Sequence, residues 1–180
     1  MKGDTRCILT AEDIQRALDR MAAEIVEHNR GVRNLALVGI RTRGEFLAQR
    51  VQRFIDSHAE TGSGGDGTVP VGVMDATIYR DDYDPLKASA KIHQTEIPFD
   101  VEGTHVVLVD DVLWTGRTVR AAMSGMMTSG RPSRMSLAVL VDREGRELPI
   151  SPDFCGREVS TAPDERVKVL LHEVDGRDEV

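Results

Sequence analysis

Two adjacent carboxylates, Asp110 and Asp111, follow a run of apolar residues and precede a group of residue types that bind phosphate. The members of that group are Thr115, Gly116, Arg117 and Thr118. They stand where a helix is expected to begin, and backbone N–H groups at a helix N-terminus bind phosphate. Ionised carboxylates offer only acceptors, which suits the vicinal hydroxyls of a sugar or a hydrated magnesium ion. Together the two groups predict a site for a ribose 5-phosphate.

Each half of this pattern also has an ordinary structural explanation. A pair of aspartates can simply end a strand, and Thr-Gly-Arg-Thr can simply begin a helix. The site is favoured because both halves occur together at the end of an apolar strand, where open α/β sheets bind ligands. A Gly-x-x-x-x-Gly-Lys-Ser/Thr motif does not occur in the sequence, which excludes the common nucleoside triphosphate loop.

Strands and helices must alternate along the chain to hold this site. Apolar residues at helical spacing predict a first helix that starts at Thr10 and is stopped by Gly31. The apolar run Leu35–Ile40 is typical of a strand that is buried on both faces of a parallel sheet. Further helices are predicted at residues 46–55 and 118–127, and further strands at 69–79, 105–109, 135–141 and 166–174. This alternation predicts one α/β domain over residues 1–180, with a mainly parallel central sheet flanked by helices.

Three segments lack a regular apolar period. Residues 61–68 are rich in glycine and are predicted to form a surface connection. Residues 80–99 are interpreted as a long loop or hairpin, and a loop of this length in a compact domain usually indicates function or disorder. The acidic end of the chain, residues 175–180, is predicted to fray.

Composition and charge narrow the class of protein. No apolar run approaches the roughly 18 residues that a membrane span needs, and the N-terminus lacks a secretory pattern, so a cytoplasmic protein is expected. The net charge of -7 argues against a surface uniformly adapted to nucleic acid. Cys7 and Cys155 form no metal-binding pair and the histidines show no ligand spacing, so neither zinc nor a disulfide is predicted.

The segment at residues 106–118 resembles the phosphoribosyl diphosphate (PRPP) signature of type I phosphoribosyltransferases almost residue by residue. Further matching motifs are GIRTRG at 39–44, YRDD at 79–82, GRP at 130–132, LAVLVD at 137–142 and RELPI at 146–150. In this order, over about residues 8–174, the motifs resemble the bifunctional pyrimidine operon regulator and uracil phosphoribosyltransferase family, called PyrR. The resemblance implies the type I phosphoribosyltransferase fold, with a small hood and a flexible active-site loop.

The resemblance also implies a reaction, in which uracil and PRPP give UMP and diphosphate with the help of Mg2+. Asp110 and Asp111 are then assigned to the ribose hydroxyls and, directly or through water, to the metal. Arg80 lies in the loop that closes over the reacting centre in this class and excludes water. Residues 115–118 are assigned to the 5′-phosphate. The diphosphate is assigned to Arg41, Thr42 and Arg43, because guanidinium groups neutralise phosphate oxygens in bidentate contacts.

The base is assigned to the segment that follows the predicted strand at residues 135–141. The candidates there are Asp142, Arg143 and Ile150. A purine base bound on the same scaffold stays an open alternative. Because the family associates, a homo-oligomer, either a dimer or a larger assembly, is also expected.

The regulatory half of the resemblance implies binding to pyrimidine leader mRNA when uridine nucleotides such as UMP and UTP are abundant. The candidate contacts are Arg16, Arg20 and Arg146. Several positions depart from the family: Ala23 replaces a usual histidine, Glu144-Gly145 replaces a glycine-histidine pair, and Trp114 stands where tyrosine is common. Asp19 adds an acid to the first helix, which weakens an interaction with phosphates. An RNA-binding attenuator with little enzyme activity is therefore the second alternative.

Overall fold

A parallel sheet organises the part of the chain that the structure, a computed structural model, describes, namely residues 5–59, 68–79, 94–162 and 164–180. The strands are β1 (Leu35–Ile40), β2 (Val71–Met74), β3 (His105–Leu113), β4 (Arg134–Arg143) and β5 (Phe154–Val159). The helices are α1 (Ala11–Asn29), α2 (Arg43–Ala59), α3 (Arg117–Ser129) and the short α4 (His172–Asp175). Within these residues the strand order is β2-β1-β3-β4-β5, and every neighbouring pair is parallel. The predicted α/β architecture is confirmed.

Helix α1 begins and ends at residues that cap helices. The Thr10 hydroxyl accepts the Asp13 N–H at 3.3 Å and the Asp13 carboxylate accepts the Thr10 N–H at 3.0 Å, which completes a capping box. At the other end Arg30 and Gly31 adopt positive φ angles, which closes the helix as predicted. Its buried apolar face includes Ile14, Leu18, Met21 and Ile25. None of the described helices is long and apolar enough to cross a membrane.

Alternate strand residues face opposite sides of the sheet, and each side has its own core. Leu35 and Leu37 of β1 pack in the core that α1 and α2 cover, whereas Val38 and Ile40 pack in the core that α3 covers. All six residues of β1 are buried, as the apolar run predicts. Because β1 is packed on both faces, it holds the turn at residues 41–42 in a defined position relative to the sheet.

Two strands differ in length from their predictions. Strand β3 continues past Val109 to Leu113, so Asp110 and Asp111 lie within the strand and not after it. Strand β2 ends at Met74 and is followed by a single 3-10 turn, so the strand predicted over residues 69–79 is too long. The tertiary pairing of each strand, and not its apolar run alone, determines where it ends.

The segment predicted as a long loop or hairpin, residues 80–99, is described only from Gln94 onward, and the candidate Arg80 therefore lies outside the described residues. Glu96 and Val73 exchange two backbone hydrogen bonds of 2.8 Å in an antiparallel bridge. The end of the segment thus folds back on β2, in agreement with the hairpin interpretation.

The last strand of the sheet is β5, which the sequence did not predict, and the strand predicted over residues 166–174 is wrong. The centre of β5 is polar and exposed, so it lacks the apolar run of a covered strand. In the segment 166–174 Val169 and Leu171 are buried, but among the described residues Leu170 makes only one bridge, to Glu179. Burial without a partner strand produced the mistaken prediction.

The C-terminal residues are ordered, which contradicts the predicted fraying of residues 175–180. Val180 is buried, and its carbonyl oxygen accepts the N–H groups of Ile8 at 2.6 Å and Leu9 at 3.2 Å. The Val180 N–H in turn donates to the Leu9 oxygen at 3.0 Å. Acidic residues in this tail also bind arginines of α2, so their charge fastens the tail to the domain.

Candidate active site

The carboxyl ends of three neighbouring strands meet at one edge of the sheet. Gly39 of β1 pairs with Val109 of β3, and Leu113 of β3 pairs with Asp142 of β4. The residues that follow β1, the aspartates of β3 and the segment after β4 therefore lie at the same edge. This is the position at which open α/β sheets bind their ligands.

The two aspartates of β3 differ in their surroundings. Asp110 is 6% exposed, whereas Asp111 is only partly buried. The Asp111 N–H donates to Asp110 Oδ1 at 2.9 Å, and the Val112 N–H donates to Asp111 Oδ1 at 2.9 Å. Burial, together with the neighbouring charge of Asp111, raises the pKa of Asp110 well above its ordinary value. A cation or sugar hydroxyls at this pair would stabilise the ionised form.

The phosphate-binding candidates form a tight turn that leads into α3. Gly116 has a φ of 90°, a conformation that favours glycine, and helix α3 starts at the next residue. The Thr115 hydroxyl accepts the Arg117 N–H at 3.3 Å, and the Gly116 oxygen accepts the Arg120 N–H at 2.9 Å. The positive end of the helix dipole thus faces the ligand side of the turn.

A cavity of about 440 Å³ connects the aspartates with the phosphate turn. Among the candidates predicted from the sequence, those that line it are Asp110, Asp111, Thr115, Gly116, Arg117, Thr118 and Arg143. The cavity is also lined by Trp114, Glu147 and Val167. An acceptor pair and a helix N-terminus in one cavity can bind a phosphorylated sugar at both of its ends.

The turn after β1 lies directly against the aspartates. A Cβ atom at Gly44 would overlap the Val109 carbonyl oxygen and would stand 3.2 Å from the Asp110 Cα. Only glycine therefore allows the first turn of α2 to approach β3 so closely. The peptide bond that joins Arg41 to Thr42 is cis. The packing of Gly44 on β3 brings the candidate diphosphate turn next to the candidate ribose site.

The two arginines of this turn have different partners. Arg41 lies 3.5 Å from Glu45 and 3.8 Å from Glu96, and its buried Nε has no hydrogen-bond partner among the described residues. Arg43 is held by both oxygens of Asp175, at 2.9 and 3.0 Å from its Nη2. Both arginines therefore face carboxylates, Arg41 at longer distances and Arg43 in a bidentate pair.

Arg143, a base-binding candidate, is fixed by its neighbours. It is 7% exposed, its Nε donates to the Thr161 hydroxyl at 2.8 Å, and its Nη2 donates to the backbone carbonyl oxygen of Glu165 at 2.8 Å. Its guanidinium carbon stands 4.5 Å from the ring centroid of Trp114, a cation–π contact. Trp114 is 48% exposed and lines the cavity. A flat, polarised surface is therefore available beside the sugar site.

The segment after β4 is joined to the phosphate turn by several hydrogen bonds. Arg146 donates to the Trp114 oxygen and to the Asp142 carboxylate, each at 2.5 Å. The backbone N–H groups of Glu147 and Leu148 both donate to the backbone carbonyl oxygen of Thr115, at 3.0 and 3.1 Å. The base-binding candidate Asp142 is therefore engaged by Arg146. Ile150, the third base candidate, packs with the core on the α3 side of the sheet.

Glu147 is a site residue that the sequence analysis did not single out. Its carboxylate binds Arg117 Nε at 2.5 Å, so it neutralises a cation of the phosphate turn. The RELPI motif that contains it was matched to the family, but its spacing does not reveal the long-range pairing. A phosphate bound at Arg117 would therefore compete with the Glu147 carboxylate.

The arginines proposed for RNA binding are all engaged by other groups. Arg16 binds Glu12 and Asp13, and Arg20 binds Glu24. Arg20 also donates to the backbone oxygens at the start of β5, which fastens α1 to the sheet edge. Arg146 binds the Trp114 backbone oxygen and the Asp142 carboxylate, as described above. In this structure the three arginines do not form one basic face.

The chain is similar to known proteins over nearly its whole length. The family model named phosphoribosyl transferase domain matches residues 5–167. A bifunctional protein PyrR from Roseiflexus sp. (strain RS-1) is 53% identical over 169 residues, which cover 94% of this chain and 89% of that protein. Bifunctional protein PyrR 1 from Lactiplantibacillus plantarum is 51% identical, with 96% and 94% covered. A bifunctional protein PyrR from Thermus thermophilus is 52% identical, with 96% and 92% covered.

Solved structures share the fold at lower identity. A hypoxanthine phosphoribosyltransferase from Staphylococcus aureus superposes with a TM-score of 0.65 at 20% identity, covering 92% of this chain and 85% of that chain. A hypoxanthine phosphoribosyltransferase from Trypanosoma cruzi has a TM-score of 0.66 at 20% identity, covering 90% and 82%. These two likenesses concern the fold alone, whereas the family match and the relatives of about 50% identity extend over nearly the whole chain. The chain belongs to the PyrR family of bifunctional proteins and carries their phosphoribosyl transferase domain.

Proposed function

We propose that the protein transfers the ribose 5-phosphate group of PRPP to uracil, which forms UMP and releases diphosphate. The observation that carries this proposal is the cavity that joins Asp110 and Asp111 to the N-terminus of α3. The 5′-phosphate is bound by residues 115–118, and the ribose hydroxyls are bound by the aspartates. The anomeric carbon then lies between the aspartates and the turn after β1.

The departing diphosphate is assigned to the turn after β1. Arg41 supplies a guanidinium group next to β3, and Thr42 adds a hydroxyl and a backbone N–H. Donors fixed in place before the reaction stabilise the charge that develops on a leaving group. Arg43 is assigned a supporting role because Asp175 engages it. Arg80, which lies outside the described residues, is proposed to cover the same charge from the loop.

Magnesium is the proposed cofactor, and the donor set of the site fits it. Asp110 and Asp111 supply carboxylate oxygens, and Mg2+ typically uses one or two carboxylates together with water and substrate phosphates. When bound, the ion would neutralise the diphosphate.

The base is proposed to lie over the wall formed by Trp114, Arg143 and Ile150. Trp114 offers an exposed ring face beside the sugar site, and Arg143 is held against that ring. Uracil is proposed as the base because the sequence resembles the PyrR family over nearly its whole length. The purine alternative rests on the fold that hypoxanthine phosphoribosyltransferases share, which does not determine the base.

The test is an assay of purified protein with uracil, PRPP and Mg2+, in which UMP formation is measured. Asp110→Asn combined with Asp111→Asn is expected to lower kcat/KM by at least about a hundredfold, since each residue loses its negative charge and one of its two acceptor oxygens. Hypoxanthine and guanine serve as competing bases. Absence of UMP with the wild-type protein contradicts the proposal, and inhibition by purines without any conversion of uracil favours the purine alternative.

A second role, transcription attenuation, is proposed because the relatives of about 50% identity are named bifunctional. In this role the protein binds a pyrimidine leader mRNA in the presence of UMP or UTP. The acids beside Arg16 and Arg20 predict weak, salt-sensitive binding. Titration of a leader transcript with and without UTP at moderate salt tests it, and equal binding in both conditions contradicts it.

The site of action and the assembly state are proposed as well. We propose action in the cytoplasm, which agrees with the free thiols of Cys7 and Cys155. We also propose a homo-oligomer, and Met127 on α3, which is 57% exposed, is a candidate contact. Sedimentation velocity measures the assembly state, and a monomer at micromolar concentration contradicts the proposal.

A further inference from the structure

A bidentate ion pair joins the C-terminal tail to the start of α2. Arg43 Nη2 lies 2.9 Å from Asp175 Oδ1 and 3.0 Å from Oδ2, and Arg43 Nε lies 3.2 Å from Oδ2. The side chains are 25% and 19% exposed, so water screens the pair only in part. In the sequence the partners are 132 residues apart. The pair therefore connects two distant segments at a defined geometry.

Asp175 is itself held in place by the end of the domain core. Its Oδ2 accepts the Leu171 N–H at 3.0 Å, and Leu171 is fully buried. The Asp175 N–H donates to the Leu171 oxygen at 2.6 Å. The hydrogen bond from Leu171 and the charge of Arg43 both lower the pKa of Asp175, so the carboxylate is ionised at neutral pH. Arg43 thus binds an anchor that is fixed to the core.

Arg43 is the last of the three residues assigned to the diphosphate and directly follows Arg41 and Thr42. On one side of α2, Gly44 packs on the backbone of β3 at Val109 and Asp110. On another side, Arg43 is held by Asp175. The turn formed by Arg41 and Thr42 comes directly before these two contacts, so they determine where its donors lie relative to the ribose site.

We propose that Asp175 is a positioning residue for diphosphate binding, which acts by holding Arg43 and through it the turn of Arg41 and Thr42. This inference rests on the proposed function, because that function assigns the turn to diphosphate. Asp175 does not contact substrate in this role. Its contribution is to fix donors before the substrate arrives, and binding weakens when the substrate itself has to order such donors.

Asp175 could instead compete with the diphosphate for Arg43, and this role predicts the opposite change in PRPP binding. If Asp175 withheld Arg43 from the diphosphate, its removal would release a cation next to an anionic substrate and binding of PRPP would strengthen. A positioning role predicts that the same change weakens PRPP binding, because the turn loses its support. The sign of the change therefore separates the two roles.

The experiment compares Asp175→Asn with Asp178→Asn in the full-length protein. Asn keeps an oxygen that can accept the Leu171 N–H, but it loses the charge that holds Arg43. Asp178 belongs to the same tail and binds Arg50, further along α2, so its variant controls for loosening of the tail. The measurements are kcat, KM for PRPP and KM for uracil, together with calorimetric binding of PRPP and the thermal midpoint of each variant.

For Asp175→Asn we expect KM for PRPP and its calorimetric Kd to rise about tenfold, with kcat and KM for uracil within about threefold of wild type. Asp178→Asn should leave both PRPP constants unchanged, even where its thermal midpoint falls. Asp175→Glu should restore part of the loss. In a double-mutant cycle, Asp175→Asn should add nothing to Arg43→Gln, since both changes remove the same contact.

Three outcomes overturn the inference: PRPP constants of Asp175→Asn equal to wild type, tighter PRPP binding, or the same weakening in Asp178→Asn. Failure of the proposed function looks different. If the wild-type protein binds PRPP but forms no UMP, the assignment to uracil fails, while the calorimetric comparison still decides the role of Asp175. If the wild-type protein binds no PRPP, both the proposed function and this inference are rejected.

Discussion

Gly116 determines how the N-terminus of α3 meets a phosphate. Its φ of 90° turns the chain from β3 into the helix, and a Cβ there would contact Leu148 and Ile150 at 3.4 and 3.5 Å. The backbone conformation, and not a lack of space for a side chain, is thus what requires glycine at this position. An L side chain in this conformation costs about 1–2 kcal/mol.

We therefore predict that Gly116→Ala raises KM for PRPP about tenfold or more, because relief of the strain rotates the N–H groups of the turn away from the phosphate. The thermal midpoint should fall by about 2–8 °C for the same strain. Gly103→Ala is the matched control, since Gly103 has a φ of 71° and nothing within 4 Å of a Cβ. Equal effects of both variants on KM would contradict the role of Gly116.

Glu147 places a negative charge at the phosphate turn by binding Arg117. The two side chains are 50% and 40% exposed, so the pair contributes little to stability. We predict that Glu147→Gln lowers KM for PRPP about threefold at low salt, because the Glu147 carboxylate no longer competes with the phosphate for Arg117. The thermal midpoint should stay unchanged.

The control for this change is Glu144→Gln, which removes the same charge from the same segment. The Glu144 carboxylate accepts the Ser160 hydroxyl at 3.0 Å and does not bind the phosphate turn in any described contact. Kinetics at two salt concentrations compare the variants. A rise of KM in Glu147→Gln would mean that Glu147 holds Arg117 in its working position.

The site could be predicted from the sequence where its residues are neighbours in the chain. Asp110, Asp111 and the turn at residues 115–118 follow one another, and the cavity contains all of them. The partners of Arg43 and Arg146 could not be predicted in this way. Arg43 binds a residue 132 positions away and Arg146 binds the Trp114 backbone 32 positions away, and no local pattern encodes such contacts.

Among the elements, those with an apolar face were predicted and those without one were not. Helix α1 and strand β1 have strong periodic patterns, and both formed near their predicted bounds. Strand β5 was missed because, within the described residues, it pairs with β4 alone and exposes Arg157 and Glu158. Gly156 in β5 allows close approach, since a Cβ there would stand 2.5 Å from the Leu140 oxygen. A steric fit of this kind becomes visible only when the neighbouring strand is known.

At the amino ends of the strands, opposite the candidate site, strand β3 begins with a buried histidine. His105 Nδ1 lies 2.8 Å from the Asn29 side-chain oxygen, and its Nε2 lies 3.0 Å from the Ser136 hydroxyl. The neutral tautomer with a proton on Nδ1 satisfies both partners, because the serine hydroxyl can then donate to Nε2. Burial, with smaller contributions from the positive charges of Arg134 and His28, lowers the pKa of His105.

This shift predicts how stability depends on pH. Because the folded pKa lies below the ordinary value of 6.5, the unfolded chain takes up a proton first as the pH falls. The contribution of His105 to the free energy of unfolding is thus complete above about pH 6.5 and declines between that pH and the lowered pKa. His105→Gln should remove this slope and lower the free energy of unfolding at pH 7.5 by about 1–2 kcal/mol.

Urea unfolding at several pH values between 5 and 7.5 measures the slope. His172→Gln, which removes an exposed histidine of α4, is the control and should keep the wild-type slope. An unchanged slope in His105→Gln would contradict the assignment of this pH dependence to β3.

On the scale of the whole molecule, the tail closes the domain by returning to its first residues and to α2. The backbone of Val180 pairs with Leu9, and Glu179 bridges both Thr10 and Leu170. Arg50 of α2, with a side chain 10% exposed, binds Glu173 and Asp178 together. The tail therefore contacts the start of α1, the middle of α2 and the segment at Leu170. Its local sequence is acidic and, taken alone, indicates fraying.

Arg50→Gln tests how much this closure contributes. The change leaves two carboxylates facing each other in a partly buried site, and we expect the free energy of unfolding to fall by about 2 kcal/mol and the thermal midpoint by about 4–8 °C. Arg53→Gln removes the same charge from the exposed face of the same helix and should have almost no effect. Calorimetry at pH 7.5 compares the two variants, and equal midpoints would contradict the role of Arg50.

The same variant has a predicted pH dependence. Binding to Arg50 lowers the pKa of Glu173 and of Asp178, so their contribution is present above the ordinary values of 4.5 and 3.8 and is lost as the pH falls through the lowered pKa values. In Arg50→Gln the carboxylates no longer gain from ionisation in the folded state. The difference in unfolding free energy between wild type and Arg50→Gln should therefore be constant from about pH 6 to 8 and should shrink as the pH falls below about 4. Urea unfolding at pH 3.5, 5 and 7 measures this difference, and a difference that stays constant down to pH 3.5 would show that Arg50 acts through packing and not through its charge.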